Sequence, residues 1–465
     1  MLSYLLQHVF TILGFALALF LLARVFHEHE RPSTSMAWFL AIVFVPYLGV
    51  PAYLLFGGRK LRRLVARKGP LYPRGKAQTG AGGPIGNTAE RVLSAYGYPP
   101  ARDGNKMKLL RTGEETYVEL LDMIDTAQES IHVMTFILGR DSVGKEIVSR
   151  LSRKAQQGVE VRLLLDALGC LYTRGRFVES LRRAGGRVGV FMPMLPLRRR
   201  WSANLRNHRK MAIIDGEIGM IGGTNLAREY MGPAADPARW IDTNVVLRGP
   251  ALADLERVFA GDWRFATGED LQLKDGPRAP CEEGSPGMRT QVVASGPDVA
   301  GDPLYDAILS LIHEARKRVW IVTPYFVPDE GLFKALMLQS RLGRDVRIVV
   351  PGRSNHPVAD LARGRRLRRL QGVGARVFAH PTRMIHAKQI VVDDDIAVSG
   401  SANLDMRSLY LNFEVDVFVY SPEKVAEMAN WASGLMSQCV ESGLTTPGYF
   451  RRWAEDLGWL VSPLL

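Results

Sequence analysis

The pattern of hydrophobic positions alternates between short continuous apolar runs and longer stretches with helical spacing. The short runs are SIHVMTFIL (130–138), VEVRLLLDALG (159–169), RVWIVTPYF (318–326) and DVRIVVPGR (345–353). A continuous apolar run of this length is typical of a strand that is buried on both faces. Because helical stretches lie between these runs, we expect an α/β fold with sheets flanked by helices.

Two much longer apolar runs lie at the N-terminus. Residues 1–23 and residues 36–56 carry no charged side chain. Each run is at least as long as the about 20 residues that a helix needs to cross a membrane, so we predict a transmembrane hairpin over residues 1–57. Two helices buried in a soluble core are the alternative. The basic residues that follow place the rest of the chain on the cytoplasmic side; they are Arg59, Lys60, Arg62, Arg63, Arg67 and Lys68.

Composition divides the remaining chain. Residues 58–104 are basic and then rich in glycine and proline, and residues 274–289 form a second such linker. The segments 105–273 and 290–430 have the same order of predicted elements, and residues 431–465 form a C-terminal helical segment. We therefore predict two similar halves, each a mixed sheet flanked by helices, packed as a pseudo-dimer behind the hairpin.

One motif occurs once in each half. HRKMAIIDGEIGMIGGTNL (208–226) and HAKQIVVDDDIAVSGSANL (386–404) align without a gap. The run between the lysine and the aspartate reads as a strand, and alternation along a strand places the histidine and the lysine on one face. The shared polar residues are His208 and His386, Lys210 and Lys388, Asp215 and Asp393, and Asn225 and Asn403.

These residue types suit cleavage of a phosphodiester without a metal or cofactor. The reaction needs a nucleophile, a proton for the departing alkoxide and fixed positive charge at the phosphoryl oxygens. Two histidines can divide the first two tasks, because imidazole titrates near neutral pH. The lysines supply charge and the asparagines supply hydrogen-bond donors. The aspartates belong to the catalytic motif, where we expect them to stabilise it, and Glu229 and Glu414 are candidates to orient a histidine ring.

The motif spacing resembles that of the phospholipase D superfamily. The wider context, including VTPYFVPDEGL (322–332) and GSANLDMRSLYLNFE (400–414), resembles the bacterial cardiolipin synthase family over nearly the whole chain. The resemblance implies transfer of a phosphatidyl group from one phosphatidylglycerol to another, with release of glycerol, through a phosphohistidine. It also implies an inner-membrane location and His208 as the nucleophile, with His386 as acid and then base. The near symmetry of the two motifs leaves the reverse assignment open.

The formal net charge of +13 indicates an anionic partner. The run RGRRLRRL (363–370) raises the question of nucleic acid, but no aromatic residues alternate with its arginines. We interpret it as a helix face that meets water or lipid phosphate, with Leu367 and Leu370 docking the helix. The expected partners are phosphatidylglycerol and the membrane, with no nucleic acid. The alternatives are a phospholipase D or a transphosphatidylase that uses water or an amino-alcohol, a membrane-tethered nuclease, and an inactive scaffold.

Overall fold

The computed structural model describes residues 87–193, 205–273, 287–443 and 447–461 without interruption. Before residue 87 it describes residues 32–47 and 68–72, with scattered positions between 12 and 53. Much of the predicted hairpin, the basic run 59–67 and most of the two predicted linkers lie outside the described residues. The chain divides into one unit of Met1–Arg67 with Met194–Leu205 and a second unit of Lys68–Pro193 with Arg206–Leu465.

The first unit contains the helix α1 (Pro32–Phe44) and further helical positions on either side of it. Leu21, Val25, Ile42 and Tyr53 form its small buried cluster. Large apolar side chains point outward, and Phe44 is 74% exposed. The predicted membrane-spanning hairpin is not confirmed, because none of the helices within the described residues combines the length and the apolar character needed to cross a bilayer.

The second unit opens with a seven-stranded half. Its elements, in chain order, are α2 (Thr88–Ala95), β1 (Arg102–Leu110), α3 (Gly113–Thr126), β2 (Ser130–Thr135), α4 (Ser142–Gln156), β3 (Glu160–Asp166), a 3-10 turn (Arg176–Val178), α5 (Glu179–Arg183), β4 (Arg187–Phe191), β5 (Met211–Ile214), β6 (Ile218–Gly222), β7 (Asn244–Arg248) and α6 (Leu252–Thr267).

A second half repeats this order. Its elements are β8 (Met288–Ser295), α7 (Pro303–Glu314), β9 (Arg318–Val322), α8 (Glu330–Arg341), β10 (Asp345–Pro351), α9 (Pro357–Gln371), β11 (Arg376–His380), β12 (Gln389–Val392), β13 (Ile396–Gly400), α10 (Met406–Tyr410), β14 (Glu414–Val419), α11 (Pro422–Met436), β15 (Val440–Glu441) and α12 (Tyr449–Val461).

The two halves form one continuous sheet of fifteen strands within the described residues. Its order is β15-β11-β10-β9-β12-β13-β14-β8-β1-β7-β6-β5-β2-β3-β4, so the second half reads as the first in reverse. The halves join where β1 pairs antiparallel with β8, with Arg102 opposite Thr290 and an irregular register before Asn105 and Met288. Every residue of β5, β6, β12, β13 and β14 is buried, as expected for strands that are covered on both faces.

The sheet is mixed, which confirms the predicted mixed sheet flanked by helices. Among the described strands, only β2, β3 and β4 run parallel in the first half, and only β9, β10 and β11 in the second. The motif strands β5 and β12 instead lead through tight hairpins to β6 and β13. A hairpin reverses the chain direction without a crossover helix, so these strands must pair antiparallel.

The basic run of α9 differs from its expected role. Arg363 and Arg366 are buried, and the Arg363 guanidinium donates to the carbonyls of Pro351 and Gly352. The prediction that these arginines face water or lipid phosphate was therefore wrong for both. The helix packs against α12, and Arg368 of α9 forms an ion pair there with Glu455.

The motif aspartates close the two hairpins. Asp215 and Asp393 both have φ of 53°, in the left-handed region that aspartate tolerates better than most residues. The carboxylate of Asp215 accepts hydrogen bonds from the amides of Gln128, Glu129 and Ser130 at 2.9, 2.7 and 2.7 Å. In the second half, Asp393 accepts hydrogen bonds from the equivalent amides at residues 316–318. Each aspartate thus ties its hairpin to the start of a parallel strand.

We expect Asp215→Ala to destabilise the protein by about 1–3 kcal/mol, because three amides lose their acceptor and alanine disfavours the left-handed backbone. Asp215→Asn keeps one side-chain acceptor and tolerates this backbone, so its loss should be smaller. Thermal unfolding of the two variants measures the difference. Equal midpoints for the alanine variant and the wild-type protein would contradict this structural role.

Candidate active site

The two histidines lie at the junction of the two halves, each just before its motif strand. The amide of His208 donates to the carbonyl of Phe413, which belongs to the second half, at 2.9 Å. The amide of His386 donates to the carbonyl of Ile241, which belongs to the first half, at 2.7 Å. Isolated parallel bridges at Asn207–Phe413 and Ile241–Ile385 complete this exchange. The backbone therefore holds each histidine against the opposite half.

The side chains also interact across the two halves, as the backbone does. His208 Nδ1 lies 3.0 Å from Glu414 Oε2, and His386 Nδ1 lies 2.6 Å from Asp242 Oδ2. A carboxylate can only accept a hydrogen bond, so each pair favours a proton on Nδ1 and places the ring lone pair on Nε2. Ser401 also donates to Glu414 Oε2 at 2.6 Å and fixes that carboxylate.

Glu414 takes the position predicted for it, but the prediction for Glu229 was wrong. The Glu229 side chain is exposed, and Asp242 holds the histidine of the second half instead. Strand register gives a signal that would have found Asp242. Gly222 and Gly400 are equivalent in the two motifs, and they pair with Asn244 and Asp416. Asp242 and Glu414 each lie two residues before these partners, so they occupy equivalent positions in the two halves.

The lysines of the motifs are buried beside the histidines. Lys210 Nζ donates to the carbonyl of His208 at 2.6 Å and lies 5.6 Å from the centre of the Phe136 ring. Lys388 Nζ lies against the His386 ring, 2.8 Å from Nδ1 and 3.1 Å from Nε2, and it also donates to the His386 carbonyl. Each motif therefore places a buried lysine amine beside its histidine at the junction.

The two asparagines are buried near the motif loops. Asn225 Oδ1 accepts a hydrogen bond from the amide of Ile137 at 3.1 Å, and the side chain also hydrogen-bonds Tyr230. Asn403 hydrogen-bonds Asp405, while its Oδ1 has no hydrogen-bond partner among the described residues. Their role as donors to a phosphoryl group stays a prediction.

Burial keeps both histidine rings neutral. It lowers the pKa of His386 to about 3, and the charge of Lys388 acts in the same direction. Burial also lowers the pKa of His208, while Glu414 opposes that shift. On Glu414 itself burial acts to raise the pKa, but His208 and Lys210 hold it below its ordinary value. The ligand-free site thus combines neutral imidazoles with ionised carboxylates, the protonation state of a nucleophile.

The lysines lose part of their basicity for the same reason. Burial lowers the pKa of Lys210 to about 7 and that of Lys388 to about 8. Glu414 and Asp242 oppose both shifts, and Lys388 further lowers the pKa of Lys210. A bound phosphodiester would add a negative charge and favour the charged form of both amines.

A cluster of buried ion pairs adjoins His208. Arg209, which is fully buried, donates through Nη1 to Asp262 at 2.8 Å and through Nη2 to Asp298 at 3.2 Å. The same two carboxylates bind Lys68. Arg209 Nε also donates to the Glu414 carbonyl at 3.0 Å. The position of Glu414 therefore depends on a charge network that includes the residue next to His208.

A cavity of about 950 Å³ adjoins the junction behind Asp242 and Trp240. Its walls carry more acidic than basic side chains: Glu114, Asp236, Asp242, Glu423 and Glu427 face Arg111 and Arg383. An anionic phosphoryl group would be repelled there, so the lysine-bearing face of the histidines is the better phosphate site. Elsewhere among the described residues, no three histidine, cysteine or acidic side chains gather to hold a metal ion.

Comparison with known proteins agrees with this geometry. A family model described as "Cardiolipin synthase, PLD-like domain" matches residues 120–263 and 308–436, which together exceed half of the chain. The chain belongs to the phospholipase D-like cardiolipin synthase family. A second model, "Phospholipase_D-nuclease N-terminal", matches residues 16–58.

Whole-chain relatives carry the same family name. The chain is 33% identical to cardiolipin synthase 1 of Bacillus cereus, over 95% of this chain and 91% of that protein. It is 30% identical to cardiolipin synthase of Listeria monocytogenes, over 99% of this chain and all of that protein. Among solved structures, phosphatidylserine synthase of Haemophilus influenzae shares the fold with a TM-score of 0.62 at 16% identity, over 82% of this chain and all of that one.

We expect Glu414→Gln to lower kcat by roughly 10²–10⁴-fold, because the amide cannot hold the charged His208 that forms as bonds change. Asp242→Asn should act in the same way on His386. Ser401→Ala, which removes only a neighbour of Glu414, is the milder control. NMR titration of the histidine rings should show a further fall in the pKa of His208 in the Glu414 variant, since Glu414 raises it. An unchanged His208 titration would contradict the pairing.

We also expect the ligand-free site to bind phosphodiesters less tightly as pH rises. A phosphodiester keeps one negative charge across this range, whereas Lys210 and Lys388, with pKa values of about 7 and 8, lose their positive charges between about pH 7 and 9. Calorimetry with glycerophosphoglycerol tests this, and Lys388→Met is the matched variant. Affinity that is constant from pH 6 to about 9 would show that neither lysine contacts the anion.

Proposed function

We propose that the protein transfers a phosphatidyl group from one phosphatidylglycerol to a second one, making cardiolipin and releasing glycerol. Membership of the cardiolipin synthase family makes the chain a phosphatidyltransferase. The observation that carries the proposal is the crossed arrangement of His208 with Glu414 and His386 with Asp242 beside two buried lysines. It provides two oriented imidazoles and positive charge at one junction.

In the first step, Nε2 of His208 attacks the phosphorus of phosphatidylglycerol. The bond from phosphorus to the glycerol oxygen breaks, and His386 gives that oxygen a proton, so glycerol leaves. His386 has a low pKa in the ligand-free protein, but a bound phosphate anion beside the ring raises it, and Asp242 stabilises the cation. The positive charges of Lys210 and Lys388 offset the negative charge that develops on the phosphoryl oxygens.

In the second step, a hydroxyl of another phosphatidylglycerol gives its proton to His386 and attacks phosphorus. The phosphorus–nitrogen bond breaks, cardiolipin forms, and His208 is neutral again. Water at the same position would release phosphatidic acid, and an amino-alcohol would give an aminophospholipid. The acceptor is therefore decided by which hydroxyl reaches the intermediate and by how well water is excluded.

Two observations support His208 as the nucleophile. Its side chain is 12% exposed, against 5% for His386. Lys388 Nζ lies 3.1 Å from Nε2 of His386, which a nucleophile would need to have free. For His208, the polar ring contact among the described residues is the one between Nδ1 and Glu414.

We also propose that the N-terminal segment anchors the protein in the bacterial inner membrane through a hairpin over residues 1–57, with residues 105–273 and 290–430 acting as the two catalytic halves in the cytoplasm. Support comes from the uncharged runs, from the N-terminal family model over residues 16–58, and from outward-facing side chains such as Phe15 and Phe44. The basic residues after position 58 favour the cytoplasmic side.

We expect purified protein to convert phosphatidylglycerol to cardiolipin and glycerol. Labelling first the head-group glycerol and then the acyl chains separates the outcomes by chromatography. Cardiolipin with an equal amount of glycerol is the expected result. Phosphatidic acid as the sole lipid product would mean that water is the acceptor. His208→Ala and His386→Ala should each abolish turnover while keeping the wild-type unfolding midpoint.

Rapid acid-free quenching with acyl-labelled substrate should trap a phosphatidyl group on the protein. Peptide mass spectrometry should locate it on His208, because that ring has the free nitrogen. His208→Ala should lose the adduct entirely, and His386→Ala should form it slowly. An adduct on His386 would reverse the assignment of the two histidines.

A further inference from the structure

The C-terminal helix α12 is fastened to α9 through one face. Glu455 on that face is 2% exposed, and its carboxylate accepts hydrogen bonds from the guanidinium of Arg368. The guanidinium of Arg366 lies 3.9 Å from the centre of the Trp459 ring. These contacts fix the rotation of α12 about its axis, and so they fix which side chains face away from the protein.

The opposite face of α12 places four large apolar side chains in solvent. Tyr449, Phe450, Trp453 and Leu457 are 71%, 88%, 65% and 62% exposed. At 3.6 residues per turn they lie within an arc of about 100°. Single exposed apolar residues are common, but four on one helical stripe mark an interaction surface. These four residues are called the aromatic face below.

We propose that the aromatic face is a contact surface for the anionic bilayer that holds the substrate. This inference rests on the proposed function, because a phosphatidyltransferase must take its substrate from a lipid surface. Tyrosine and tryptophan favour the head-group boundary of a bilayer, where an apolar ring and a polar tip are both satisfied. A helix that lies in this boundary typically combines such rings with arginine.

The charges of α12 point to an anionic surface. Arg451 and Arg452 are exposed within the helix. Its two acids pair with arginines of α9, Glu455 with Arg368 and Asp456 with Arg365. Glu455 also lies 3.4 Å from the guanidinium of Arg451, whereas Arg452 donates to the carbonyl of Pro447. The charge on the helix that has no acidic partner among the described residues is therefore positive and lies on Arg452, and a basic residue near an anionic bilayer surface favours binding. An apolar surface on a protein partner would not account for a positive charge beside the aromatic face.

The aromatic face is linked to the catalytic junction by packing. Trp459, on the inner side of α12, packs against a small buried cluster that contains Val327 and Ala362. The amide of Val327 donates to the carbonyl of Leu404 at 3.0 Å, next to Asn403 of the second motif. A bilayer contact at α12 would thus hold the motif loop of the second half in a defined position relative to the lipid surface.

The kinetic test compares Phe450→Ser/Trp453→Ser with the control Val118→Ser/Leu342→Ser. The control side chains are 62% and 58% exposed, but Val118 lies on α3 and Leu342 directly follows α8. Full-length protein is reconstituted in phosphatidylcholine vesicles that contain phosphatidylglycerol. We expect the first variant to lose at least about 5-fold in rate, and the control to match the wild type. With a short-chain phosphatidylglycerol below its micellar concentration, all three should be equal.

Two kinetic results would overturn the proposal. Wild-type rates for Phe450→Ser/Trp453→Ser on vesicles would show that the aromatic face does not serve the lipid surface. Equal losses on vesicles and on monomeric lipid would mean that the substitutions damage the catalytic junction instead.

A second readout does not depend on turnover. A nitrobenzoxadiazole label on Phe450→Cys, with the other cysteines changed to serine, should be protected from iodide quenching in these vesicles, whereas the same label on Val118→Cys should stay accessible. Equal quenching would overturn the proposal, as would protection that grows with the protein-to-lipid ratio, which indicates a second copy. Protection without any conversion of phosphatidylglycerol would uphold the bilayer contact and refute the proposed function.

Discussion

The structure depends on one exchange: the histidine of each motif is oriented by a carboxylate from the other half. Glu414 holds His208 and Asp242 holds His386, and backbone hydrogen bonds repeat both crossings. Neither half alone contains a histidine with its partner, although each carries a complete motif. The repeat is therefore necessary for orientation as well as for supplying two imidazoles. The β1–β8 pair, which merges the halves into one sheet, holds the two ends of this exchange together.

The same junction also buries positively charged side chains. Lys210, Lys388 and Arg209 are buried within it, and burying a charge is costly unless it is paired. Arg209 is compensated by Asp262 and Asp298 and keeps its charge, whereas the two lysines are only partly compensated and have lowered pKa values. An anionic phosphoryl group bound at the proposed site would supply the missing negative charge. The ligand-free site is thus strained in the direction that substrate binding relieves.

The sequence predicted what is local and missed what depends on pairing between distant strands. The motif strands, their hairpins and the pairing of Glu414 with a histidine follow from short patterns. Asp242 was missed because its role appears only when β7 is aligned with β14 through their neighbours in the sheet. Glu229 was chosen instead for its closeness to the motif along the chain, which says little about closeness in a mixed sheet. The predicted hairpin at the N-terminus rests on composition, and none of the helices within the described residues is long and apolar enough to cross a membrane.

The arginine run of α9 shows why charge in a sequence does not identify a partner. Its dense positive charge suggested an exposed patch for phosphate groups, yet Arg363 and Arg366 are buried, and Arg365 and Arg368 pair with acids of α12. The arginines of this run hold a second helix, α12, in position within the protein. That helix in turn exposes aromatic rings and Arg452, so the lipid contact that we propose lies on α12 and not on the arginine run of α9. The proposed lipid-contact surface consists of the apolar side chains of α12, which arginines of α9 hold in position. The net positive charge determines only that this surface favours an anionic bilayer.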